Sequence, residues 1–195
     1  MKVIINLVFL ALAVTSCGRD NDSSEIIVPE EKTSYNFVYT NSYKVNDIVL
    51  YKGPLGYKEN PKEEFIKNTW NTYSTPEYSQ IDVDTKNKII QFHLGENVIE
   101  HPIEFSKDSI HISTDKVFVG ILDKKNEKLE LSKSFYYIKK ELDNSSSSFS
   151  RFTKLGITKY KDIFGINTFS SPSEMNNKND EIFWANLSYS YKQTK

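Results

Sequence analysis

Few side chains in this sequence can do more than hydrogen-bond or carry a charge. There is one thiol, Cys17, and there are three imidazoles, His93, His101 and His111. A single cysteine allows no internal disulfide, so an exported domain would have to rest on packing alone. It is also the side chain whose thiolate is most easily alkylated. Each histidine lies in a run where apolar and polar residues alternate. By that alternation His93 and His111 fall on a polar face and His101 on an apolar one. Imidazoles on opposite faces of a sheet do not converge on one ion, so neither a metal nor a cofactor is expected. Asp82-x-Asp84-x-x-Asn87 offers oxygen ligands at calcium-loop spacing but lacks the glycine and the distant glutamate. A polar hairpin turn accounts for it better. Glu100, Glu104 and Asp108 are available as carboxylates, yet nothing is paired with them for acid–base work. Gly-x-Ser-x-Gly, His-Glu-x-x-His and glycine-rich phosphate loops are all missing from the sequence, so the chain reads as non-enzymatic.

Two indoles complete the set. Trp70 and Trp184 are of a type that ordinarily joins a core. Trp184 alternates with the apolar side of its run, which makes it the better candidate for an exposed contact. Trp70, His101 and Trp184 are the candidate ligand-contacting residues.

The segment around Cys17 organises the rest. Lys2 gives a positive start, and Val3–Val14 is apolar apart from Asn6. A membrane-spanning helix needs roughly 20 apolar residues, and this run is shorter. A short apolar run behind a positive charge has the form of an export signal. It ends in Val14-Thr15-Ser16-Cys17-Gly18, which resembles the lipobox of bacterial lipoprotein precursors. The resemblance implies a signal peptide over 1–16, diacylglyceryl attachment at the Cys17 sulfur, and cleavage that leaves Cys17 first. An ordinary signal peptide with an incidental cysteine, or a buried cytosolic cysteine, are the plainer alternatives. Residues 17–33 are polar and acidic and read as a lipidated tether. Such a coil reaches ~20 Å, enough to lift a domain clear of headgroups. Its acidic residues resemble the surface-export signals of Bacteroidota lipoproteins. The implied location is the outer membrane, on its periplasmic side or at the cell surface.

Composition narrows the partners. The net charge is −1 with both signs interspersed, so a nucleic-acid partner is not expected. Twelve Tyr, twelve Phe and two Trp make up for a modest apolar content, since each can bury about 150–250 Å².

From 34 to 195 the chain reads as one β-rich domain. Tyr35, Phe37 and Tyr39 alternate, Asn41-Ser42 can turn, and Val45–Leu50 continues with a bulge or turn at Asn46-Asp47. Lys52–Gly56 is a loop. Asn60 can cap a helix with Pro61 at its first position and Glu63 at capping-box spacing. Phe65, Ile66, Thr69, Trp70 and Tyr73 share its inner face; the competing assignment starts a strand at Trp70. Tyr78–Lys140 predicts a meander of short strands with turns about every ten residues. Asp143–Ser148 is a loop tip, Phe152–Lys159 could be a strand, and Ser171–Glu174 could open one helical turn. In the last strand Phe183, Ala185, Leu187, Tyr189 and Tyr191 share one side.

The order of these elements resembles lipocalin-like barrels: a helical turn and a tryptophan, a long meander, a late helix and a final strand. The predicted fold is therefore mainly β, an antiparallel meander forming a lipocalin-like barrel or half-barrel with one or two short helices. The resemblance implies a cupped interior for a small apolar ligand. The expected role is a non-enzymatic binding lipoprotein; the alternative is a protein–protein module such as an inhibitor, immunity protein or accessory subunit.

Overall fold

Alternating apolar residues become strands wherever the intervening turn chemistry permits. A computed structural model describes residues 31–142, 146–157 and 169–194. Cys17, the signal segment and most of the predicted tether lie outside the described residues. The strands are β1 (Ser34–Lys52), β2 (Tyr57–Glu59), β3 (Gln80–Asp84), β4 (Ile89–Leu94), β5 (Asn97–Ser106), β6 (Ser109–Ile112), β7 (Phe118–Asp123), β8 (Lys128–Glu141), β9 (Ser147–Leu155) and β10 (Glu181–Gln193). Among the described residues one helix, α1 (Glu63–Thr69), and a 3-10 turn at Pro172–Glu174 accompany the strands. No helix among the described residues is long and apolar enough to cross a membrane.

The meander closes on itself. Neighbouring strands pair antiparallel from β3 through β8, β1 pairs with β3, and β10 pairs with both β1 and β8. The result is a closed eight-stranded antiparallel barrel. β2 and β9 lie outside this ring, added beside β1 and β8. Three strands are long because they serve twice. β8 borders β7 along 128–131 and β9 along 133–141, with β10 on its other side along 128–139. β1 borders β3 along 34–38 and β2 along 50–52. Beyond the barrel these strands continue as an open sheet, β2-β1-β10-β8-β9.

That double use needs bends, and the sequence supplies them. β1 shifts register between Tyr39 and Ser42 and again between Val45 and Asp47. Asn41 takes a left-handed conformation, φ 57°, which asparagine tolerates. Asn41-Ser42 is thus a bulge in one continuous strand, where a turn was predicted; extra residues in a bulge bend the strand without ending it. The Asn46-Asp47 bulge is observed. Gly120 lies opposite Leu131 where a Cβ would collide with the Glu130 carbonyl oxygen, so β7 can approach β8 here only through glycine.

Other boundaries moved. α1 begins at Glu63, with Lys62 as its N-cap and no side-chain cap bond, so Asn60 does not cap it. Trp70 ends the helix, its N–H bonding back to the Ile66 carbonyl at 2.8 Å, and starts no strand. β9 starts at Ser147, ahead of the expected Phe152, because Ser147–Leu155 pairs along β8 from Glu141 to Lys133. Lys159 lies outside the described residues, as does 143–145 of the expected loop tip. At Ser171–Glu174 the turn forms, but the Glu174 carboxylate accepts from Ser170 N–H at 2.6 Å instead of closing a box on Ser171.

Two cores result, one on each face of the long strands. Inside the barrel Phe37, Ile81, Ile90, Phe92, Ile110, Val119, Leu129, Phe183, Leu187, Tyr189 and Tyr191 are fully buried. On the outer face Val49, Tyr136, Ile138, Ile182 and Trp184 pack with Phe169 and Met175. The cover is held by backbone bonds. Leu55 N–H donates to the Met175 carbonyl at 2.7 Å, and the buried Asp180 carboxylate accepts from Glu141, Asn176 and Asn177 N–H, each at 2.9 Å. Gly56 is required beneath it, because a Cβ there would strike Pro172.

Candidate functional site

Strand direction gives the barrel two unlike ends. The first residue of β1 and the turns β3–β4, β5–β6 and β7–β8 share one end, here the entry end. The far end carries α1 and the open sheet.

The linker from Trp70 to Ser79 closes the barrel at the far end. Trp70 packs 5.4 Å from the Phe135 ring and 5.8 Å from Phe183. Phe65 of α1 stacks on Phe183 at 4.4 Å. Polar groups then fasten the linker's carbonyls, which have no ladder partner of their own. Tyr39 donates to Ser74 O at 2.8 Å, Tyr189 to Tyr73 O at 2.5 Å, and Tyr191 to Tyr78 O at 2.7 Å. The Tyr43 and Tyr73 hydroxyls meet at 2.8 Å and both reach Glu63 Oε1 at 2.8 Å. These hydrogen bonds, Tyr73's first, hold the Glu63 carboxyl below the usual carboxylate range. Burial pushes the phenols of Tyr39, Tyr73, Tyr189 and Tyr191 upward, so they stay protonated further into the alkaline range.

Below this plug sits a group that alternation conceals, Lys133, on the inner face of β8. Its side chain is 9% exposed, and its ammonium lies 3.0 Å from Glu77 and 5.7 Å from the Phe135 ring centre. A lysine in a run of apolar positions has no sequence signal that separates it from a solvated one; Glu77 arrives from the distant linker. Glu77 is half exposed, which weakens the pair. Lys133→Met is expected to leave stability unchanged or raise it, because a similar volume is kept and no ion is desolvated. Glu77→Gln strands the ammonium and is expected to cost about 1–2 kcal/mol. Urea denaturation of both variants reads the difference; equal losses would contradict this account.

The three predicted contact residues do not come together. Trp70 is inside the mouth. His101 is half-buried on the inner side of β5, 5.9 Å from the Phe92 ring. Trp184 lies on the opposite face of β10, in the outer core, at 8% exposure. The expected exposed contact at Trp184 is therefore corrected: the 169–180 segment covers it. His93 and His111 are on the outer barrel surface, as alternation indicated. His93 Nε2 pairs with Asp82 Oδ2 at 2.7 Å, and His111 meets the Phe118 ring edge-on. Among the described residues no group of three His, Cys, Asp or Glu could hold a metal ion. The Asp84–Asn87 stretch is a hairpin turn, with Lys86 and Asn87 N–H donating to Asp84 Oδ1 at 2.9 and 2.8 Å.

Hollows formed by the described residues lie on the outside. A polar cup of about 290 Å³ sits on the outer face of β1, β3 and β4, lined by Asn36, Asp82, Asp84 and Gln91 among others. A shallow groove of about 340 Å³ lies beside α1 at the far end, between Phe65, Thr69, Tyr137, Phe149, Arg151 and Glu181. Arg151 donates to the helix-terminal Thr69 carbonyl at 2.7 Å, and Phe149 is 66% exposed. Leu55, Tyr57 and Leu142 are as exposed at the same end. Sequence pattern did not mark Phe149, because β9 gains its partner only when β8 outruns β7.

The geometry defines the class: a closed, eight-stranded antiparallel barrel of the lipocalin-like kind with one helix across its mouth. No protein-family model, no curated protein and no solved structure matches the chain.

Proposed function

We propose that this chain is a lipid-anchored, non-enzymatic binding module on the outer membrane whose partner is a protein that docks outside the barrel. The observation that carries the choice is that, among the described residues, the inward side chains are buried against one another. Where a carrier of small apolar ligands keeps a cavity, this barrel holds Phe37, Phe92, Tyr189 and Tyr191 and a plug fastened by phenols. The exposed apolar side chains of Leu55, Tyr57, Leu142 and Phe149 sit instead at the far end, away from where the chain enters the barrel. Aromatic and arginine side chains beside a helix are the residue types that anchor protein interfaces. The lipobox reading of Cys17 supplies the address.

Two measurements decide between ligand and partner. A fluorescent fatty acid titrated into the unlipidated chain is expected to show no saturable uptake and no rise in melting temperature. A photo-crosslinking residue placed at Phe149 in cells is expected to give one discrete adduct, lost when the same residue is placed at Ile121 on the barrel wall. Saturable fatty-acid uptake with no adduct would return the reading to a small-ligand carrier.

A further inference from the structure

The entry end has a chemistry of its own. Its turns present Lys86, Lys88, Lys107, Lys125 and Lys128, all exposed and, among the described residues, with no carboxylate in ion-pair range. The carboxylates beside them, Asp84 and Asp123, keep their charge and are engaged by the turn amides and side chains. Asp84 and Asp123 accept from the turn amides, Asp123 from Asn126 N–H at 3.0 Å, and Glu127 is paired with Lys32 at 2.6 Å. Asp108 is exposed in the β5–β6 turn. A near-neutral chain thus offers a positive plate at one end.

Two features say that the lysines are held there against local preference. Lys88 and Lys107 occupy left-handed positions, φ 58° and 56°, which glycine or asparagine adopt with less strain. The β8–β10 register also sets Lys128 opposite Lys192, and like charges directly across strands repel. The facing pair Lys128 and Lys192 concentrates positive charge at this end.

The place where the chain enters says which surface. Lys32 pairs with Glu127 of the β7–β8 turn, so the barrel's own chain begins at this end. A lipid on Cys17 would keep this face within a short tether of the bilayer. We propose that the entry end is a docking plate for the anionic phosphate headgroups of the membrane that holds the anchor. It orients the barrel with α1 and Phe149 outward. The plate rests on the lipoprotein reading for its biological setting, but its affinity belongs to the barrel alone.

The test uses the unlipidated chain Gly18–Lys195, which keeps every core residue, since both cores lie within the compact unit Lys32–Lys195. Co-sedimentation compares vesicles of phosphatidylcholine with mixed phosphatidylcholine–phosphatidylglycerol vesicles. Binding is expected only to the mixed vesicles and is expected to fall as salt rises. Replacing Lys88, Lys107, Lys125 and Lys128 by Gln is expected to weaken it about fivefold per lysine, equivalent to ~1 kcal/mol each. Replacing Lys58, Lys62 and Lys67 by Gln at the far end is expected to leave it unchanged. Equal binding to both vesicle types, or equal loss from either set of substitutions, would overturn the plate. Because no acyl chain is present, these outcomes are independent of whether Cys17 is lipidated, which acyl mass on the native chain decides separately.

Discussion

Trp184→Ala is expected to cost the fold about 3–5 kcal/mol, the range for emptying a buried large aromatic position. The indole stands on the outer face of β10, whose inner face at Phe183 and Ala185 belongs to the barrel core. β10 is hydrogen-bonded on both sides, to β1 through Val49 and to β8 through Tyr136 at the level of Trp184. A void there has little room to relax, since backbone ladders hold its walls from both directions. Loss of the indole also loosens Phe169 and Met175, and with them the cover that Asp180 ties down. Urea unfolding should therefore show a lower midpoint. Had Trp184 been an exposed contact, alanine would change stability by less than about 0.5 kcal/mol. That smaller value, with binding lost, would reinstate the exposed contact inferred from alternation.

The error at Trp184 shows what period-two reading can and cannot see. In the short strands from Gln80 to Asp123 alternation alone places Ile81, Ile90, Phe92, Ile103 and Ile110 inside, and they are inside. Hairpin turns are local, and Asp84-x-x-Asn87 and Asp123-x-x-Asn126 close through their own side chains. The long strands break the rule because both of their faces become dry where the barrel gives way to the open sheet. Asn186, Ser188 and Ser190 follow Trp184 on its face and mark it as wet. The residues that dry it, Val49, Phe169 and Met175, come from elsewhere in the chain. Strand length carried the same information in concealed form. Asn41 and Asn46 suggested stops, and a bulge uses the same residue types as a turn. The candidate groove was illegible for a related reason: α1, β8, β9 and β10 each give one to three residues to it, with no motif in any of them.

Cys17→Ala is expected to move the protein from the membrane pellet to the soluble fraction, with acyl labelling abolished. One acyl chain gives only reversible attachment, while each buried methylene adds about 0.8 kcal/mol, so two or three chains hold essentially permanently. The lysine plate cannot substitute for them. Its contribution is ~1 kcal/mol per lysine near an anionic surface, and salt screens it. The two forces are therefore separable in one fractionation. At low salt some Cys17→Ala protein should remain with the membrane, and a high-salt wash should remove it. The same wash should leave the unsubstituted chain in place, because hydrocarbon burial does not weaken with ionic strength. Retention of the alanine variant through the wash would mean that some part other than the sulfur holds the protein, and the lipobox reading would fail. Release of both forms would mean that no lipid is present and that charge alone brings the barrel to the surface.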